Sequence, residues 1–596
     1  MSRDLPHWQL KELYPSLDSP ELKADLLKIK NNVAALKEYE FPPCPKSVEE
    51  LASDLSKMIK LEEELIDPVE AIGVYCHSII TTDSYNGEAV RIDSSLDSAK
   101  IALSLLQVRY LKWLAAVPQK LWDDFWSSSA SEELKDFRFA LQEERDNAAH
   151  LLSEKEEELA AKLEQCGTQA WAKMQGLITS RATAEFTVDG ETKRMPLTAI
   201  RAYQTNSDPE VRLRAQKTEE AAWKTIEDQI AACLNGVKGS ANTMAKARGY
   251  SSALEQSLRI SRLDDETFSA LWDAMQRSFP LFRRYFKSKA KKLGLPKLRW
   301  CDLDAPVGNS TKRYSFEDCQ SFLLRHFANF TSEMHDLAKR AFDNNWIDAE
   351  PRDGKRGGAF CMPIRKLEES RVMANYGYNF DSVNCLAHEL GHAFHNYCMK
   401  GLPAKQRKCP MTLAETASIM NEVVVSSSAI KEAESKEEEL YILENMLTSA
   451  SGVIVDIASR FLFEKEVMKR REENELTAKE LCAIMEEAQN ATFGDALDEN
   501  CRGPYMWTWK PHYYFSSFNF YNYPYAFGQL FALALYSLYK KEGASFIPKY
   551  MGFLRSAGQD SPRGLAARFG YDITKAEFWD NSLAVIKDWI DRYEEL

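Results

Sequence analysis

A glutamate and three histidines suited to hydrolytic chemistry fall inside one stretch, Leu386-Ala387-His388-Glu389-Leu390-Gly391-His392-Ala393-Phe394-His395, in a chain with nine histidines. On a helix, positions four apart share a face, so His388 and His392 can aim their imidazoles at one metal while Glu389 projects beside it. A carboxylate placed there can take a proton from metal-bound water. A catalytic zinc normally has three protein ligands and one open position, so a third ligand is needed. Glu415 is the candidate, because a two-histidine site otherwise lacks an anionic partner. Thr412-x-x-Glu415 also fits a capping box, in which the glutamate would touch no metal. Glu422 lies two turns beyond Glu415 on nearly the same face, placed to accept a bond from a ligating histidine. His395 shares the face of His388 and His392. The metzincin spacing would require glycine there and a histidine at Cys398, so His395 is read as packing or bonding near the site, outside the ligand set. Cys385 and Cys398 flank the cluster without its spacing and are read as structural filler.

Two other segments could serve such a site. Trp507 to Gly528 is crowded with aromatics, among them His512, Tyr521, Tyr523 and Tyr525. Core packing is the ordinary reading, yet a phenol or imidazole aimed at a metal could stabilise the oxyanion formed when water attacks a carbonyl. Asp353 to Cys361, with Gly354, Gly357, Gly358 and Ala359, precedes the histidine cluster. It is either a surface turn between strands or a glycine-rich strand edge open to an extended peptide.

The elements that position these residues are mostly helical. Apolar residues recur at three- and four-residue spacing over 19–40, 47–65, 96–117, 131–166 and 208–248. The metal helix is expected to start with Asp381 as its cap and to end near Gly401. The glycine and prolines of 400–410 then reverse the chain into an antiparallel helix from about Thr412. A hairpin is expected over Thr183 to Leu197 around Asp189-Gly190, and it sets a lobe boundary, with an N-terminal helical lobe over 1–185 and a catalytic region over 186–596. A length of 596 residues favours two or more lobes and leaves ample chain to enclose a cavity. A net charge of -13 with no basic aromatic patch excludes a nucleic-acid partner. Neither a signal-type N-terminus nor a run approaching about 20 apolar residues is seen, so no membrane partner is expected. The twelve scattered cysteines suit reduced thiols, and the expected location is cytoplasmic. Whether the chain is a monomer or a homo-oligomer is left open.

Taken in order, His388-Glu389-Leu390-Gly391-His392, Glu415-Thr416-Ala417-Ser418 and the His512 to Gly528 segment resemble the M3 peptidases, more closely their oligoendopeptidase F branch. Trp8 to Tyr14 and Ala247-Arg248-Gly249-Tyr250 extend the likeness over nearly the whole chain. The resemblance implies a mainly α, two-lobed helical zincin-type metallopeptidase, with a deep substrate channel and a small β region near the active site. It implies one Zn2+ on His388, His392 and Glu415, with Glu389 as the base and proton carrier in an attack by zinc-bound water on short unstructured peptides. It also implies His512 with Tyr521 or Tyr525 at the oxyanion, Tyr523 next in line, and Gly357, Gly358 and Ala359 beside bound peptide. Glu422 and His395 stand outside the ligand set. The stretch between His512 and Phe520 is longer than the family pattern, which leaves the choice of tyrosine open. A related zinc carboxypeptidase or dipeptidyl carboxypeptidase is the alternative, and a peptide binder without catalysis is a second.

Overall fold

The computed structural model describes residues 5–37, 39–188, 190–308, 312–516 and 518–596. Helices dominate, with a two-stranded hairpin and one three-stranded sheet among the described residues.

Helix α1 (Val48–Thr82) starts where the Ser47 side chain accepts a bond from the Glu50 backbone N–H. The apolar pattern predicts an end near Leu65, but the helix runs on through Pro68. Burial of Ala71, Ile72, Tyr75 and Cys76 on its inner face outweighs the bond that a proline removes. Two other predicted helices are broken. The 131–166 pattern becomes a 3-10 segment and the helices Arg138–Ala148 and Glu154–Cys166, the last opened by a Ser153/Glu156 capping box. The 208–248 pattern divides into Pro209–Lys224 and helix α2 (Glu227–Ala247).

The hairpin forms as expected, Thr183–Val188 (β1) pairing antiparallel with Glu191–Pro196 (β2). Its Phe186 packs in a cluster with Trp223, Ile230 and Leu234, and with Phe463, Val467, Trp507 and Tyr513 from far along the chain; Ile178 packs against that cluster from the preceding helix. The N-terminal helices contribute three further apolar clusters, around Tyr14, Ile72 and Tyr75, where Ile364 joins them, around Leu55, Trp113 and Trp122, and around Leu36, Leu65 and Leu106. Buried Lys405 ties them to the catalytic half through Glu62 at 2.7 Å and through Glu144.

The small sheet has the order β3 (Ile347–Asp348), β5 (Glu369–Met373), β4 (Phe360–Ile364), with β3 parallel and β4 antiparallel to β5, so β4 is an edge strand. The largest core holds helix α3 (Phe380–Cys398), helix α4 (Thr416–Glu432), helix α5 (Ile457–Arg471) and helix α6 (Tyr523–Glu542). One feature escaped the sequence reading: the continuous run Lys436–Arg471 is long and apolar enough to cross a membrane, but 56% of its apolar window is buried inside the protein. Ile454, Val455, Ile457 and Ala458 on this run face the core, which accounts for its composition.

Candidate active site

The metal helix α3 is capped by Asn379, whose Oδ1 accepts from the Ser382 N–H at 3.1 Å. Asp381, the predicted cap, lies within the first turn and accepts from Tyr441 at 3.0 Å and Asn445 at 2.6 Å. Its Val383, Leu386 and Leu390 are fully buried, which fixes the rotation of the helix and leaves His388 and His392 partly open. Gly391 lets α4 approach: a Cβ there would stand 2.5 Å from Ser418 Cα and 2.7 Å from the Ala417 carbonyl oxygen. Any larger residue would push the two helices apart and with them the two halves of the ligand set.

Glu415 sits at a break, after Met411–Ala414 and before α4. The capping-box alternative is not realised. Thr412 Oγ1 donates to the Ser261 carbonyl at 3.0 Å, and Glu415 accepts from Ser418 Oγ at 2.7 Å. The carboxylate meets the histidines instead, with Glu415 Oε2 at 3.3 Å from both His388 Nε2 and His392 Nε2, and the two Nε2 atoms 3.2 Å apart. Ligand atoms at about 2.0–2.1 Å from one tetrahedral ion stand about 3.3–3.4 Å from each other, so this triangle has the edge lengths that a single Zn2+ requires. Among the described residues these three form the one cluster that could hold a metal ion.

Glu422 bonds His388 Nδ1, and its other oxygen accepts from Asn384 Nδ2 at 3.1 Å; Ser426 in turn donates to Asn384 Oδ1 at 3.1 Å. A proton held on Nδ1 leaves the Nε2 lone pair free for a cation. Burial acts against a charged His388, but the bond and charge of Glu422 push its pKa up to about 9. Burial also works against a charged Glu415, and the neighbouring His392 and His388 overcome it, pulling the carboxyl down to about 2. Glu422→Gln is expected to weaken metal affinity about 10- to 100-fold, read by chelator titration, since the amide holds His388 less firmly. Unchanged affinity would reduce Glu422 to a packing role.

Glu389 is 6% exposed, and its Oε2 is buried with no partner. Burial raises its pKa, opposed by the two imidazoles and reinforced by Glu415 and Glu422. Strand β4 packs against α3, and burial, and after it the Glu389 charge, push the Cys361 thiol on that strand up. His395 is buried against the Ala414 and Leu554 backbone, apart from the triangle, and burial holds its pKa down to about 4.

The C-terminal aromatics divide. Gly528 on α6 faces Glu415, its missing Cβ standing 3.3 Å from that of the glutamate, so α6 passes directly over the third ligand. Tyr525, one turn earlier, feels the Glu415 charge; burial first, then Tyr521, keeps its phenol protonated. Tyr521 and Tyr525 hydroxyls lie 3.1 Å apart, and Tyr521 stacks on His512 with ring centroids 4.8 Å apart. Burial, with Arg460 and Lys510, holds His512 neutral with a pKa near 4; its Nδ1 is buried without a partner. Tyr523 is a correction. It is 1% exposed, its hydroxyl bonds Ser261 at 2.9 Å and Ser257 at 3.3 Å, and Phe268 and Phe461 pack on it, so it offers nothing to a substrate.

The glycine-rich loop is held from two sides. Lys355, whose side chain is fully buried, bonds Asp348 at 2.7 Å, and Asn375 donates to the carbonyls of Arg356 and Gly358, both at 3.0 Å. From the other side, the end of α1 and the turn after it supply the Thr81 carbonyl to Arg356 N–H at 2.8 Å and the Ser84 N–H to the Gly354 carbonyl at 2.9 Å. Gly358 has φ +84, which favours glycine, and a Cβ at Gly357 or Gly358 would meet nothing within 4 Å. The loop and Ala359 thus lead into the free edge of β4.

Sequence reasoning missed Asn384, although it stands one helical turn before His388 on the same face. It also missed the charges acting on His512, from Lys510 two residues before it and from Arg460, which no local spacing reveals.

A helical protein whose two histidines, glutamate ligand and buried carboxylate converge in this way defines a metallopeptidase of the zincin type. The chain belongs to peptidase family M3, whose model matches residues 202–585, and residues 113–183 match the model described as Oligopeptidase F. It is 23% identical to oligopeptidase PepF of Bacillus subtilis over 99% of this chain and 87% of that protein. An oligoendopeptidase F homolog of Lactococcus lactis is 23% identical over 99% of this chain and 97% of its own length. In fold, the chain resembles the oligoendopeptidase-F structure from Enterococcus faecium, with a TM-score of 0.67, 20% identity, and coverage of 96% of this chain and 97% of that one. A Chlamydophila abortus structure assigned as a peptidase gives a TM-score of 0.85 at 23% identity, covering 99% and 98%.

Proposed function

We propose that this protein is a zinc-dependent endopeptidase that hydrolyses short, unstructured oligopeptides. The observation that carries the reading is the His388–His392–Glu415 triangle, with edges of 3.2 and 3.3 Å, beside the unpartnered carboxylate of Glu389. Zn2+ held there supplies Lewis-acid polarisation of a carbonyl and acidifies water. The protein's own groups do the rest. Glu389 accepts the proton of the attacking water at its free oxygen and delivers it to the leaving amine, a role suited to a carboxyl whose pKa burial has raised. Tyr525, over Glu415, donates its phenolic proton in a bond to the carbonyl oxygen as negative charge develops. Tyr521 and the neutral His512 hold that phenol in line. The edge of β4, entered through Gly357, Gly358 and Ala359, pairs with the peptide backbone, which restricts substrates to chains that can extend.

All twelve cysteines are free thiols, which supports a reducing, intracellular compartment as the place of action. The test is mass-spectrometric mapping of cuts in peptides graded by length, with and without a chelator. Internal, chelator-sensitive cuts in short peptides, with folded proteins left intact, are expected. The absence of any chelator-sensitive cut would overturn the assignment.

A further inference from the structure

The chain enters α6 by an uncommon backbone route. Phe520, immediately before Tyr521, has φ +55, a left-handed conformation that bulky side chains rarely adopt. Such a conformation persists only where the surroundings hold it. Asn522 opens α6 without a side-chain cap bond, so capping does not set the angle at which the chain arrives.

What holds the turn is a buried ion pair. Glu464 Oε1 on α5 accepts from the Phe520 backbone N–H at 3.0 Å and from Lys238 Nζ on α2 at 2.6 Å. Lys238 also donates to Asn519 Oδ1 at 3.0 Å. Two successive residues are thus gripped by one pair, Asn519 by the cation and Phe520 by the anion. The Lys238 and Glu464 side chains are 1% and 3% exposed, and Asn519 and Phe520 are buried with them. The two helices that carry the pair are themselves joined, since Asn242 on α2 donates to the Met468 carbonyl on α5 at 2.8 Å. Phe461 on α5 packs on the Phe520 ring with centroids 5.4 Å apart.

We propose that Lys238 and Glu464 are positioning residues, which lock the Asn519–Phe520 turn and so set where Tyr521 and Tyr525 stand beside His512 and Glu415. A buried ion pair adds little stability over apolar residues of the same size, whereas a hydrogen bond to a charged group is about twice as strong as a neutral one and fixes direction. One residue beyond the turn, Tyr521 stacks on His512, and its hydroxyl lies 3.1 Å from that of Tyr525. A rotation at Phe520 would swing the Tyr521 ring off the imidazole and part the two phenols. His388, His392 and Glu415, held by α3 and the start of α4, would stay in place. Lys238 and Glu464 are shut away from solvent, so they act on a peptide only through the tyrosines.

This role rests on the peptidase reading, and the experiment separates the two. With one reporter peptide, kcat, KM and metal content are measured for the metal-loaded wild type and two variants. Lys238→Met/Glu464→Leu removes both charges together, so that neither is stranded; Asn519→Ala leaves the ion pair intact and removes only its bond to the turn. The double variant is expected to lose roughly 10- to 100-fold in kcat, as misplaced groups do, with KM and metal content nearly unchanged. Asn519→Ala should show a smaller loss of the same kind. Both changes are repeated in a Tyr521→Phe/Tyr525→Phe background, where no phenol remains to be placed, and there the added loss should shrink to about twofold or less. An undiminished loss in that background, a loss of metal, or an unaltered kcat would overturn the positioning role, with chelator-sensitive cleavage still upholding the peptidase. Asn519→Ala decides by itself if the double variant does not fold. A wild type without chelator-sensitive cleavage would instead remove the reading on which the role rests.

Discussion

Glu389→Gln is expected to bind one equivalent of metal like the parent and to lose about 100- to 10,000-fold in kcat. Glutamine matches glutamate in shape, so the packing of α3 and the triangle of His388, His392 and Glu415 stay in place. What is lost is the ability to take a proton. The native Oε2 is buried with its acceptor capacity unused, and burial has moved its pKa upward towards the range in which a base works near neutral pH. Metal content by mass spectrometry and turnover of one reporter peptide check both halves of the statement. Near-normal turnover would remove Glu389 from the chemistry, whereas loss of metal would show that the residue supports the ligands instead.

The second large effect falls on the tyrosines. Tyr525→Phe is expected to lower kcat about 100- to 1000-fold with little change in KM, the signature of a bond that strengthens as the oxyanion forms. Tyr521→Phe should cost less, because its hydroxyl acts on Tyr525 at 3.1 Å and not on the substrate. The basis for this ranking is Gly528: its bare backbone brings α6 against Glu415, and Tyr525 is one turn away. A larger loss from Tyr521→Phe than from Tyr525→Phe would exchange the two roles.

The ligands were legible in the sequence because their geometry is short-ranged. His388 and His392 share a face by spacing alone, and the need for an anionic third ligand pointed to Glu415. The cap of α3 was not, since Asn379 and Asp381 are equally able acceptors and only the contacts of Asp381 with Tyr441 and Asn445 decide between them. Tyr523 was misread because the start of α6 was not located. Tyr523 and Tyr525, two positions apart on one helix, must face nearly opposite ways, and the proline at position 524 marks a helix opening. The length of α1 depended on packing beyond Pro68. The meeting of α5 with the Pro511–Tyr514 turn is wholly tertiary: it rests on a contact between Phe463 and Tyr513, residues that no periodicity relates.

The double anchoring of the glycine-rich loop has a thermodynamic consequence. Its backbone is bonded to Thr81 and Ser84 from the N-terminal helices as well as to Asn375 from the sheet side. In the proposed binding mode, peptide pairing with the edge of β4 and the grip of α1 on the loop act on the same short piece of chain. Reciprocity then requires that any free energy by which bound peptide steadies the loop also strengthens the hold of α1, and that loosening α1 weakens peptide binding by an equal factor. Substitutions at the end of α1, remote from any reacting atom, thereby become a means of tuning how long a peptide stays.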